Sequence, residues 1–260
     1  MKISNLKKLK SKKLIVFDLD GTLTPSKAPL RRDMAALLSR LLQEKPVAVI
    51  GGGTYKQFKT QFVAHAKLSP ALMKNLFLFP TSSTTFYKYH SGWEKVYAHG
   101  LTQAQKKKIF AALNVTFREG GYIKPKKTYG KIIEDRGSQI TFSAVGQKAP
   151  VRVKEAWKRK YDDLRLRMTT VAQKHLPEFK VRAGGLTSID VTKKGIDKAY
   201  GLKQIKKHVH VDIKDMLFVG DAIFPGGNDY AVVRTGVDYI PVTGPEQTKD
   251  IIRAVLENFD

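Results

Sequence analysis

Short apolar runs closed by polar residues recur at both ends of the chain. Each is followed by a stretch with apolar positions every three or four residues. "KLIVFDLD" (13–20) reads as a buried strand and "RRDMAALLSRLLQE" (31–44) as an amphipathic helix. "PVAVIGGG" (46–53) is a strand and "TYKQFKTQFVAHA" (54–66) a helix. Near the C-terminus come a helix over 198–209, a strand "DMLFVGD" (215–221), a helix "DYAVVRTG" (229–236), a strand "DYIPV" (238–242) and a final helix over 245–259. This alternation predicts a parallel sheet covered on both faces, an α/β fold.

The middle of the chain has a different rhythm. "TTFYKYHSGWEKVYAH" (84–99) alternates like a hairpin with Ser-Gly at its turn. A helix over 104–113 follows, then a second hairpin-like stretch over 131–145, a long helix over 153–176 and two strands, "FKVRAGG" and "TSIDVT". This pattern predicts an antiparallel α+β insert over residues 85–187, with 1–84 and 188–260 forming the α/β domain. No internal repeat is present.

With 260 residues the chain has ample core-forming capacity. No apolar run approaches the roughly 20 residues of a membrane helix, and the run after the basic start "MKISNLKKLKSKK" is too short for a secretory signal. A cytoplasmic chain with a solvated basic tail is expected. The absence of cysteine rules out disulfides and thiolate metal sites. The formal net charge of +24 favours polyanions. The lysines are scattered and form no stripe interleaved with stacking aromatics, so nucleic acid rests on charge alone as a partner. A phosphorylated small molecule is drawn by the same field. The six histidines show no metal-site spacing, and Trp93 and Trp157 read as packing residues.

Against this basic background, the first strand runs straight into two acids. Ligands of an open parallel sheet bind beyond the carboxyl ends of its strands, where Asp18 and Asp20 fall. Residues two apart on extended chain point to one side, and Gly21 allows a tight turn beside a ligand. A carboxylate can attack phosphorus and form an aspartyl-phosphate, and a second acid can protonate the leaving oxygen. Two anions facing a phosphate need a divalent cation, and oxygen ligands suit Mg²⁺. The alternative is a strand closed by a common Asp-Gly turn. Other strand ends repeat the pattern. Asp221 and Asp229 follow "DMLFVG". Thr54 follows "GGG" and offers either a phosphate cradle at a helix start or a capping box with Gln57. Lys198 starts a helix, where a cation gains nothing from the dipole but can neutralise a carboxylate and a phosphoryl group. Lys193 and Lys194 are its rivals.

Asp18-x-Asp20-Gly21-Thr22, the later threonine, the lysine and "GDAIFPGGND" resemble the four motifs of the haloacid dehalogenase (HAD) superfamily. The insert resembles the C2 cap of its Cof-type (IIB) branch. "FPTSSTTFYKY" and "GGLTSIDVTKKGIDKAYGL" are similar to segments of the eukaryotic-type phosphomannomutase family. The resemblance implies a Rossmann-like core with an inserted cap and a Mg²⁺ cofactor. It implies Asp18 as nucleophile and metal ligand, Asp20 as acid/base and metal ligand, Thr54 and Lys198 as catalytic residues, and Asp221 and Asp229 at the metal. Ser188 and Asp190 match positions that hold sugar hydroxyls, and the cap resemblance implies a homodimer through the cap.

The departures concern the second phosphate, which arginines clamp in that family. Arg136 is retained. Gln147 stands in place of an arginine, and Lys154 and Lys27 replace two more. Lysine keeps the charge but loses the planar fork, and glutamine keeps neither. A mutase needs that clamp more than a hydrolase does. The expected function is a Mg²⁺-dependent phosphatase acting on a small phosphate ester, a sugar phosphate in class. The alternatives are a phosphohexomutase and a non-catalytic polyanion-binding protein on the same scaffold.

Overall fold

Along the first strand Leu14 and Val16 enter one apolar layer and Ile15 and Phe17 another, as period-two geometry requires of a strand buried on both faces. The computed structural model describes residues 11–257. The strands are β1 (Leu14–Asp18), β2 (Val47–Ile50), β3 (Leu76–Phe79), β4 (Thr85–Tyr89), β5 (Trp93–Ala98), β6 (Ile133–Asp135), β7 (Gln139–Ser143), β8 (Phe179–Gly184), β9 (Ser188–Lys193), β10 (Met216–Gly220) and β11 (Asp238–Pro241). The chain divides into two units, Met1–Ala98 with Asp197–Asp260, and His99–Ile196.

The first unit holds a seven-stranded sheet in the order β11-β10-β1-β2-β3-β4-β5. Its first five strands run parallel, and β4 and β5 join antiparallel. The helices Arg32–Glu44 and Pro245–Leu256 pack on one face, through Leu38, Leu41, Ile252 and Val255 among others. The helix Lys198–Val209 covers the other through Leu202 and Ile205. Thr54 opens a helix in three stretches, Tyr55–Gln57, Phe58–Val63 with π-type turns and Ala64–Ala66. The helix expected after Asp229 is a 3₁₀ stretch, Tyr230–Thr235.

The second unit is an antiparallel sheet, β6-β7-β9-β8, under the helices Gln103–Gly120 and Val151–His175. Ile109, Leu113, Phe142, Met168 and Val191 fill its core. The second helix, expected as one piece, is broken at Tyr161 (φ −133°, ψ 21°).

The insert expected over 85–187 therefore has other edges. The hairpin β4–β5 extends the first sheet, because β4 pairs with β3 and Phe86 stacks on Phe79 with ring centroids 4.3 Å apart. Strand β9, expected in the α/β domain, pairs with β7 and β8. The expected solvated tail lies largely outside the described residues. Lys12, within them, is 4% exposed, and its ammonium donates to Asp238 Oδ2 and the Lys214 carbonyl, each at 2.5 Å. Burial of that charge is tolerated because both partners are acceptors in place. No described helix is long and apolar enough to cross a membrane.

Candidate active site

Parallel pairing of β1 with β10, Phe17 opposite Val219, brings two strand ends together at one edge of the first unit. Asp18 closes β1 and Asp221 follows β10 directly. Gly21 (φ 91°) lets the chain turn there, and a Cβ on it would lie 2.7 Å from Asp221 Cγ, so no other residue fits unmoved. The loop after Asp221 folds back until the Ala222 amide donates to Asp229 Oδ2 at 3.0 Å. Potential ligand oxygens of Asp18, Asp221 and Asp229 all lie within 4.8 Å of one another. Lys198, the first residue of its helix and 2% exposed, donates its ammonium to Asp18 Oδ1 and Asp229 Oδ1. Its place is fixed by Asp197, which accepts the Tyr200 amide at 3.0 Å and pairs with Arg234.

Three buried or half-buried carboxylates around one ammonium leave an excess of two negative charges. The electrostatics follow. Burial pushes the Asp18 carboxyl well above the usual range; Lys198 pulls it down, and Asp229 and Asp221 push it further up. Burial raises Asp221 too, with Asp229 adding to the effect. Burial alone would lower Lys198, but Asp18 and Asp229 outweigh it and hold the ammonium above its ordinary value. All three directions describe one cluster short of positive charge. Its donors are hard oxygens, so the residues fit a hard divalent cation such as Mg²⁺.

Asp20 stands beside this cluster with partners of its own. Its Oδ1 accepts the Lys27 amide at 2.5 Å and Gln61 Nε2 at 2.8 Å. Lys27 thus reaches Asp20 through its backbone, in a left-handed conformation (φ 57°). Gln61 was missed from the sequence. It is buried beside Phe58 and Phe62 in the π-type stretch, and an amide on the apolar face of an amphipathic helix is the signal that could have found it. Thr54 forms the full capping box, its hydroxyl accepting the Gln57 amide at 3.2 Å and Gln57 Oε1 accepting the Thr54 amide at 2.7 Å. Lys193 and Lys194 belong to the second unit, at and just after the end of β9.

The remaining candidates, Arg136, Gln147, Lys154, Ser188 and Asp190, are all in the second unit. Arg136, its side chain 4% exposed, donates to Glu134 Oε2 at 2.7 Å and to Gln147 Oε1 at 3.1 Å. Lys154 is buried in the first turn of Val151–His175. Ser188 and Asp190 are two apart on β9 and share a face. Asp190 Oδ1 accepts the Thr141 hydroxyl at 2.7 Å.

A mostly parallel sheet with an acid at the end of β1, two more after β10 and a buried lysine between them is the arrangement of the HAD superfamily. A haloacid dehalogenase-like hydrolase from Bacteroides thetaiotaomicron superposes with a TM-score of 0.62 over 96% of this chain and 100% of its own, at 15% identity. An IMP-nucleotidase from Plasmodium falciparum superposes at 0.71 over 97% and 73%, at 17% identity. Within that class the chain belongs to the eukaryotic phosphomannomutase family, whose sequence profile matches residues 34–258. A probable phosphomannomutase from Caenorhabditis elegans is 27% identical over 96% of this chain and 98% of its own length. Asp18 and Asp20 precede the residues matched by the family profile.

Proposed function

We propose that the chain is a Mg²⁺-dependent phosphatase that hydrolyses a sugar phosphate through an aspartyl-phosphate. Asp18 supplies the nucleophilic oxygen. Asp20, oriented through Oδ1 by the Lys27 amide and Gln61, protonates the departing sugar oxygen and then takes a proton from the water that attacks the phosphoaspartate. Lys198 fixes the Asp18 carboxylate and offsets negative charge at the reacting centre. Mg²⁺, held by Asp18, Asp221 and Asp229 and by Asp20 through its backbone, would supply the positive charge that keeps Asp18 ionised against burial. The names of the relatives and the Ser188–Asp190 face support a sugar phosphate as the substrate class.

One observation carries hydrolase over mutase. The Arg136 guanidinium is turned to Glu134 and Gln147 inside the second unit, and Gln147 brings no charge. A mutase must hold a bisphosphate in both orientations and needs a planar cationic fork for the distal phosphate. The second reading, a phosphohexomutase, is favoured by the family match and by relatives named for that activity along nearly the whole chain.

The test is phosphate release from a panel of sugar and nucleotide monophosphates with Mg²⁺, with Asp18→Asn as control, plus a hexose 1-phosphate with trace bisphosphate. Free phosphate that vanishes in Asp18→Asn supports the phosphatase. Isomerised sugar phosphate with little free phosphate overturns it in favour of the mutase. Neither product, with tight salt-sensitive binding to nucleic acid, moves the weight to the polyanion-binding alternative.

A further inference from the structure

Three departures from local rules meet at one point behind Lys198. Thr81, Ser82 and Ser83 are successive non-glycine residues in left-handed backbone (φ 50°, 55° and 70°), a strained run that surrounding structure must enforce. The Thr81 and Ser82 amides are tied to the Gly53 and Gly51 carbonyls at 2.8 and 2.9 Å. The run delivers Ser83 into the interior, where its hydroxyl is buried and has no hydrogen-bond partner among the described residues. An unpaired buried hydroxyl is unfavourable, because it has given up its hydrogen bonds to water. Opposite it stands Gly201, inside the Lys198–Val209 helix, where glycine is disfavoured relative to alanine. A Cβ on Gly201 would lie 2.8 Å from Ile50 Cδ1 and 3.2 Å from Ser83 Cβ, and closer still to Ser83 Oγ.

Lys198 and Gly201 are three apart in one helix and lie on its buried face. The distance of this helix from the sheet sets how far the Lys198 ammonium reaches towards Asp18 and Asp229. We infer that the Ser83–Gly201 contact is a positioning device: it seats the Lys198–Val209 helix close enough to the sheet to hold the Lys198 ammonium between the two carboxylates. This rests on the reading of Lys198 as a group of the reaction centre. Ser83 and Gly201 act through Lys198 and are positioning residues.

Gly201→Ala restores an ordinary helix residue, so general loss of helix stability is not its effect. It pushes the helix outward and withdraws the ammonium from the carboxylates. Two readouts follow, taken on the full chain. The turnover number for phosphate release falls about tenfold or more with KM little changed, since small misplacements of catalytic groups are costly. Mg²⁺ binding, measured by calorimetry without substrate, becomes at least about threefold tighter, because three carboxylates have lost a competing cation. Loosening of the fold alone would weaken Mg²⁺ binding instead. Ser83→Gly together with Ile50→Val, placed on Gly201→Ala, removes the atoms nearest the new Cβ and is expected to return both readouts towards the parent. Unchanged or weaker Mg²⁺ binding in soluble, folded Gly201→Ala overturns the inference, and so does a combined Gly201→Ala, Ser83→Gly, Ile50→Val variant that restores nothing. If the parent releases no phosphate from any substrate, the function proposed above fails, and the Mg²⁺ comparison still decides the positioning role.

Discussion

Lys198 is buried where an ammonium would ordinarily give up its proton, yet Asp18 and Asp229 hold it charged. The same cluster sets a pH response. Asp18 and Asp221 have folded values above their unfolded ones, so the folded state binds more protons. Stability without metal therefore falls as pH rises from the ordinary carboxylate range towards the raised values. Carboxyls held low by partners, such as Asp33 and Asp212, lose their contribution only below that range. In chelator, the melting temperature is expected to drop as pH rises above the ordinary carboxylate range, and Mg²⁺ should shrink the drop. Asp18→Asn should melt higher than the parent in chelator near neutral pH, while abolishing turnover. A parent whose melting is indifferent to both pH and Mg²⁺ would contradict the cluster's excess charge. At the same scale, Gln61→Leu keeps the apolar bulk beside Phe58 and Phe62 and removes a hydrogen bond to Asp20. Its turnover is expected to fall about tenfold with KM nearly unchanged; full activity would show that Asp20 needs no such support.

Among the elements, the hairpin β6–β7 carries Arg136 at its turn, and the segment after β7 carries Gln147. Their side chains meet at 3.1 Å. Replacing the amide with a second guanidinium adds charge beside Arg136 and frees it from an uncharged acceptor. Gln147→Arg should raise isomerisation of a hexose phosphate in the presence of bisphosphate severalfold; product analysis by chromatography reads this directly, and no gain would show that the missing fork is not what separates the two activities. Several elements were legible in the sequence because their pattern is local: β1, β2, β10 and the helices Arg32–Glu44, Lys198–Val209 and Pro245–Leu256 were read from apolar spacing alone. The sheet that each strand joins was not. Alternation identifies β4, β5 and β9 as strands, but pairing is a long-range choice settled by contacts such as Phe86 on Phe79 and Thr141 opposite Asp190. The break at Tyr161 likewise has no proline or glycine to announce it.

Across the whole molecule, the motif residues Asp18, Asp221, Asp229 and Lys198 were named from strand ends and helix starts, and the first unit brings them together. Gln61 and the burial of Lys12 were not foreseen, since polar residues in an amphipathic pattern read as solvated until a partner far along the chain is known. The net charge of +24 acts at this scale as a field. Raising NaCl from about 0.05 M to about 0.3 M should lower kcat/KM for an anionic substrate severalfold through KM, with kcat nearly constant. A kcat that falls in step would place the salt effect in the chemistry instead. The central claim, that Asp18 carries a phosphoryl group on to water, is tested most directly by rapid quenching with a substrate labelled in its phosphoryl group. The expected result is a hydroxylamine-sensitive label on the peptide containing Asp18 that chases into inorganic phosphate at the turnover rate. Label that passes from Asp18 to a second sugar hydroxyl, or a peptide that never becomes labelled during turnover, would contradict it.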